Sequence, residues 1–266
     1  MDNHLKLIEA CSKYISVDDT EVFTKALPFL PFAEAVAEKL YDVNAEVIET
    51  LSNQIGVIYD NKGDYDKSLE WYDKALSIGE TVLGKEHPNT ASTFNNIAGV
   101  YRKKGEYDKA LEWTFNALQI RETVLGKEHP DTASSYNNIA IVNNIKGEYD
   151  KALEWYDKAL SIKETILGKE HPSTAGTYNN IAIVYVNKGE YDKALEWYFI
   201  ALSIRETVLG KEHPDTASTY NNIAVVYRKK GEYDKALEWY FIALSIRETV
   251  LGKEHPDTAS TYNNIA

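Results

Sequence analysis

The sequence predicts an all-α fold, a solenoid of stacked helical hairpins. Three observations carry the prediction. Rare residues recur at a constant spacing of 42: Trp71, Trp113, Trp155, Trp197, Trp239; His87, His129, His171, His213, His255; Pro88, Pro130, Pro172, Pro214, Pro256. A fixed period of that length marks a repeat architecture, because an ordinary globular domain spreads its rare residues without one. Within each period, two stretches place apolar residues at i, i+3, i+4 and i+7, the spacing of a buried helical stripe. Glycine and proline punctuate the two stretches, so each period reads helix, turn, helix.

The elements follow in chain order. Residues 1–46 form an irregular N-terminal helical cap or connector. Ala26-Leu27-Pro28-Phe29-Leu30-Pro31-Phe32-Ala33 runs in phase with Ala194-Leu195-Glu196-Trp197-Tyr198-Phe199-Ile200-Ala201. Two prolines would break a helix there, so the stretch predicts a short helix, a Pro turn and a helix from about Phe32 to Tyr41. Residues 47–266 form the array, with repeats at about 48–89, 90–131, 132–173, 174–215 and 216–257 and a partial repeat at 258–266. In the repeat 174–215 the first helix is expected from about Thr174 to Lys188. The second is expected from about Tyr191 to Leu209, with Gly210 as its stop. An Asp or Thr just before the Ala175 position should supply the N-cap oxygen.

On a helical wheel, Tyr178, Ile181, Ala182 and Tyr185 share one face of the first helix. Tyr191, Ala194, Leu195, Tyr198, Ala201, Leu202 and Leu209 share a face of the second, and Trp197, Ile204 and Val208 widen it. A helix so broadly apolar must touch more than its hairpin partner, and the alanines permit close approach. Each hairpin therefore buries its face by stacking on its neighbours.

The pattern Asn-Ile-Ala-x-x-Tyr-x-x-x-Gly-x-Tyr-x-x-Ala-x-x-x-Tyr-x-x-Ala-Leu resembles the tetratricopeptide repeat (TPR). The 42-residue period, the lengthened second helix and the link Leu-Gly-Lys-Glu-His-Pro-Asp-Thr-Ala resemble the kinesin-light-chain-like subtype. The resemblance spans residues 50–266. It implies a right-handed superhelix whose first helices line a concave groove for peptides or partner proteins. The Pro-interrupted start also resembles the connector that precedes such arrays in signalling NTPases of the STAND class.

Composition excludes other classes. Apolar residues make up 44% and aromatics 12%, enough for a core. No apolar run is long enough for a transmembrane helix. The start MDNHLKLIEACSKY lacks the pattern of a secretory signal. A lone Cys11 and the absence of Asn-x-Ser/Thr fit a reducing, cytoplasmic setting. Net charge is −12, half of it from residues 1–63. An acidic chain is a poor partner for nucleic acid or an anionic membrane.

The expected binding surface lies on the first helices. In the repeat 174–215, Gly176, Asn179, Asn180, Ile183, Val186 and Asn187 fall in one stripe beside the buried face. This is where the resemblance places the groove. Asn53, Asn95, Asn137, Asn179 and Asn221 form a ladder along it, begun again at Asn263. An amide both donates and accepts, so such a ladder can grip a peptide backbone whatever its sequence. A second column, exemplified by Asn180, reads as bonding the neighbouring repeat's backbone. Specificity is expected where repeats differ: Val186 and Asn187 correspond to Asp60 and Asn61, Arg102 and Lys103, Asn144 and Ile145, and Arg228 and Lys229. The two basic spots should contact acidic residues of a bound segment. On the second helices, Phe115, Phe199, Ile200, Phe241 and Ile242 flank the polar side, and they read first as inter-repeat packing or ordinary partial exposure and alternatively as a secondary contact surface for a partner or a second copy. Asp73, Lys74, Asp157 and Lys158 hold the same positions elsewhere.

Catalytic chemistry has no foothold in the pattern, and no cofactor is expected. Gly79-Glu80-Thr81-Val82-Leu83-Gly84-Lys85-Glu86 comes close to a phosphate-binding loop. It ends a helix, however, and has Glu86 where a magnesium-binding hydroxyl is needed. The histidines sit one per repeat in Lys-Glu-His-Pro turns. Hairpins about 10 Å apart cannot share a zinc held about 2 Å from each ligand. Carboxylates such as Glu190, Asp192 and Glu196 gather at helix starts, where the macrodipole favours them.

A non-catalytic scaffold that captures a peptide segment is the leading reading. The alternatives are the sensor arm of a larger STAND-type NTPase and an oligomerisation element. Residues 190–224 and 232–266 are identical, which implies recent duplication or consensus engineering. The last helix stops without a polar cap. That predicts a fragment of a longer protein, or an end-to-end contact through Tyr262 and Ile265.

Overall fold

The computed structural model describes residues 27–39 and 44–266. Among these residues there are twelve α-helices, one short 3-10 turn and no strand. The turn, Leu27–Phe29, leads into α1 (Leu30–Lys39). Five hairpins follow: α2 (Ala45–Asn61) with α3 (Tyr65–Val82), α4 (Pro88–Lys103) with α5 (Tyr107–Val124), and α6 (Pro130–Ile145) with α7 (Tyr149–Ile166). Next come α8 (Pro172–Lys188) with α9 (Tyr191–Val208), and α10 (Pro214–Lys229) with α11 (Tyr233–Val250). Helix α12 (Pro256–Ile265) begins a sixth. The chain forms two compact units, Met1–Ser135 and Tyr136–Ala266, and the division falls inside α6.

In the first unit, α1 starts at Leu30, two residues before the expected Phe32. Pro31 is tolerated because it sits in the first turn, where its missing N–H has no helical partner to lose. Pro28 lies in the 3-10 turn. The apolar side of α1, Leu30, Ala33, Val36 and Ala37, packs with Ile48, Leu51, Ile55 and Ile58 of α2. The Tyr59 hydroxyl donates to Glu34 at 2.6 Å. Residues 1–26 and Tyr41 lie outside the described residues.

The hairpin α8–α9 shows how a repeat is built. The N-cap is not an Asp or Thr but His171: its Nδ1 accepts the Ser173 N–H at 3.1 Å, with Pro172 at the first helical position. His87, His129, His213 and His255 do the same for the residue two positions on. Thr174 is displaced from capping because its hydroxyl donates to the Gly168 carbonyl at 2.9 Å, pinning the preceding loop. Gly189 closes α8 at φ 78 and Gly210 follows α9 at φ 94, backbone conformations that favour glycine.

Tyr178, Ile181, Ala182, Ala194, Leu195, Tyr198, Ala201 and Leu202 are buried. Tyr178 and Trp197 lie 5.6 Å apart, centroid to centroid, and the pairs Tyr136–Trp155 and Tyr220–Trp239 repeat that contact. Such a pair adds roughly 0.5–1.5 kcal/mol beyond its buried area. Two wheel assignments need correction. Val208 is 49% exposed, as are its counterparts at the same level (Val82 49%, Val124 47%, Ile166 53%, Val250 50%), each the last residue of its helix. Val186 belongs to the core, packed with Ala182, Tyr198 and Tyr220, and not to an open stripe.

The first hairpin departs from the others at two places. Gly56 stands where later repeats have Ala98, Ala140, Ala182 and Ala224, and a Cβ there would meet the Tyr72 ring at 2.6 Å. Ser68 uses the same close approach, donating to the Gly56 carbonyl at 2.8 Å. Glu49 replaces the buried Ala91, Ala133, Ala175 and Ala217, yet it is only 2% exposed. Gly79, opposite it, replaces Arg121, Lys163, Arg205 and Arg247 and leaves room for its side chain.

Candidate functional site

Junctions between hairpins carry most of the polar order. From α5 onward, a cation in the last turn of each second helix reaches the start of the next first helix. Arg205 donates to the Asp215 carbonyl at 2.9 Å and to Thr219 at 2.7 Å. Arg247 does so to Asp257 and Thr261, and Arg121 to Asp131 and Ser135. Lys163 makes the equivalent contacts with Ser173 and Thr177. Burial pushes all four cations below their ordinary pKa values. In the first hairpin the charge is reversed: burial raises the Glu49 carboxyl above the usual glutamate value.

The asparagine ladder is threaded through the same junctions. Asn96 Nδ2 donates to Asn53 Oδ1 at 2.9 Å, Asn180 to Asn137 at 3.2 Å, Asn222 to Asn179 at 3.3 Å, and Asn264 to Asn221 at 3.3 Å. The second column therefore bonds the first column's side chains, not the backbone. Asn53 also donates to Thr93 at 2.8 Å, and Asn95 to Ser135 at 3.3 Å. Asn179 is 9% exposed. The ladder thus holds hairpins together, and its acceptor oxygens are engaged within the array at Asn53, Asn137, Asn179 and Asn221.

The variable positions sit about two turns further along. Lys103 is held by Asp60 at 2.9 Å, and Asn187 donates to Asn144 at 3.0 Å. Arg228 makes one long contact, 3.5 Å to the Asn264 carbonyl. Arg102 and Lys229 have no partner among the described residues. Most lysines nearby are paired: Lys104 with Asp66, Lys188 with Asp150, and Lys230 with Asp192, each at 2.7 Å. On the second helices, Phe115, Phe199, Ile200, Phe241 and Ile242 are all exposed. Tyr262 is 40% exposed and donates from its hydroxyl to Glu248. Ile265 is half-buried against Ala224, Ala236 and Tyr240.

Sequence reasoning missed the histidine caps and the terminal cations. Both repeat every 42 residues, and that recurrence was the available signal. No group of three or more metal-ligating side chains occurs among the described residues, and no helix among them is long and apolar enough to cross a membrane.

Stacked hairpins with these junctions define a helical-repeat solenoid. The tetratricopeptide repeat model matches residues 46–114, 95–165, 137–198, 173–241 and 215–266, so the chain belongs to the tetratricopeptide repeat family. Among solved structures it is similar to BtubC (BKLC) from P. vanneervenii, with 25% identity, TM-score 0.68, and 88% of this chain and 92% of that one covered. It is also similar to a kinesin-light-chain-type protein of Podosopora anserina with nearly identical TPR-like repeats. That match has 22% identity, TM-score 0.62, and coverage of 75% and 94%. A Rap protein complexed with competence and sporulation factor shares the fold at 17% identity and TM-score 0.68, with 90% and 69% covered. No curated protein sequence matches the chain.

Proposed function

We propose that this TPR array is a non-catalytic interaction scaffold that captures an acidic peptide segment along the first helices of its hairpins. The supporting observation is the set of cations left over after pairing. In a chain of net charge −12, Arg102 and Lys229 are unpartnered among the described residues and Arg228 has only a long carbonyl contact. All three end first helices, beside the asparagine column. Carboxylates of a ligand would meet them there in charge-assisted bonds. With their oxygens engaged by the next hairpin, Asn137 and Asn221 would offer N–H donors to peptide carbonyls. Asn53 and Asn95 already donate within the array, and Asn179 is too buried to contribute much. Lys103, Asn144 and Asn187 would frame the basic spots.

The test is fluorescence anisotropy with labelled acidic peptides and charge-neutral controls. Binding should weaken steeply with salt and drop at least about tenfold in Arg102→Glu and in Arg228→Glu/Lys229→Glu. Affinity that ignores salt, or survives these substitutions, overturns the assignment.

A further inference from the structure

We propose that the outward face of α9 and α11 docks an amphipathic helix of a partner protein that carries both apolar and basic side chains. Phe199, Ile200, Phe241 and Ile242 are 40%, 45%, 55% and 44% exposed. Single exposed apolar residues are ordinary, but these come as pairs on successive second helices. Phe199 lies 5.9 Å from Trp239, which lies 5.6 Å from Tyr220, so the patch rests on an aromatic base.

Hairpins α2–α3 and α6–α7 show the solvated version of the same face. They carry Asp73-Lys74 and Asp157-Lys158 at these positions. Each lysine lies 4.0 Å over the tryptophan three residues before it, Lys74 on Trp71 and Lys158 on Trp155. Hairpins α8–α9 and α10–α11 keep Trp197 and Trp239 but replace the covering lysine with isoleucine. A cation from outside could take the vacated position over the ring.

The charge of the patch selects its complement. Asp192 and Glu196 precede the first apolar pair, and Asp234 and Glu238 precede the second. Asp192 is held by Lys230 at 2.7 Å. Glu196, Asp234 and Glu238 have no cation partner among the described residues. Apolar anchors beside unneutralised carboxylates call for an apolar and basic ligand. Packed helices stand about 10 Å apart, and a helix advances about 10.5 Å over seven residues. A ligand helix running along the stack would therefore place residues i and i+7 on the two pairs. Both hairpins present the same anchor, because residues 190–224 and 232–266 are identical.

The test uses the full chain and a variant with Phe199→Asp, Ile200→Lys, Phe241→Asp and Ile242→Lys. Those are the residues hairpins α2–α3 and α6–α7 already hold, so the fold tolerates them, and unchanged circular dichroism verifies it. A displayed library of randomised helical peptides is panned on the wild type after depletion on the variant. Enriched clones should be basic, should carry apolar residues at i and i+7, and should bind the variant at least about tenfold more weakly. Arg102→Glu should leave their affinity unchanged, which separates this face from the proposed peptide site. No enrichment, acidic or neutral winners, or equal binding to the variant overturns the proposal. So does light scattering that finds a wild-type dimer made monomeric by the variant, which would give the face to a second copy.

Discussion

At the scale of single residues, the first junction is the informative one. Glu49 is a buried carboxylate, where three other junctions have a buried cation in the opposite helix and a fourth has the half-buried Arg205. A carboxyl whose folded pKa stands above its unfolded value contributes stability that is full below the unfolded value and is lost as pH rises through the folded one. Burial raises Glu49, so the chain should be less stable near neutrality than its Glu49→Gln variant, with the gap closing as pH falls below the ordinary glutamate range. Thermal melts at about pH 4 and about pH 7 measure this, and a gap that persists at the lower pH contradicts it. Gly79→Arg should stabilise the same junction by about 1 kcal/mol or more, since helical glycine alone costs about that much. Nearest atoms to a Cβ at Gly79 stand at 3.5 Å, so the side chain has room. A lower chemical-denaturation midpoint for Gly79→Arg would refute the cation–carboxylate exchange.

At the scale of elements, much was legible in advance. Helix bounds in 174–215 follow from the Gly and Pro punctuation, and the buried stripe of α9 follows from its periodicity. Other features were hidden for physical reasons. A wheel treats every turn as equally covered, so it places Val208 in the core although that residue ends its helix and is half exposed. Histidine is an uncommon N-cap, and here Pro172 follows it at the first helical position. His171→Ala should cost roughly 1 kcal/mol and His171→Asn should restore most of it, read by denaturant melts. Equal stability of all three would remove the cap from the account. Gly56→Ala, which reads as harmless because every later repeat has Ala, should destabilise by about 1–3 kcal/mol. The reason is the Tyr72 ring at 2.6 Å. A neutral outcome would mean that the ring shifts freely.

At the scale of the whole molecule, stability should behave as a sum over hairpins and junctions. Truncation after Gly231 removes α11 and α12 and should lower the melting temperature modestly while helicity per residue stays constant. Loss of helical structure in that truncation would show instead that the last hairpins support the rest. The candidate site was only half legible at this scale. Its asparagine column can be read by counting in steps of 42, but the partner of each amide lies 43 residues away on the next hairpin, and pairing at that range is settled only by stacking. The unpaired state of Arg102 has the same origin: one lysine away, Lys103 is held by Asp60 of the preceding hairpin.

The asparagine rungs have one more consequence. Donor and acceptor columns sit on the same helix, so from α4 onward every hairpin offers the same plug and the same socket. A junction built that way carries no address. Copies can be gained or lost in whole units without redesigning any contact, and the identical segments 190–224 and 232–266 look like such an event. The same interchangeability should act during folding, where two identical copies would compete for one docking position and connectivity would have to set their order.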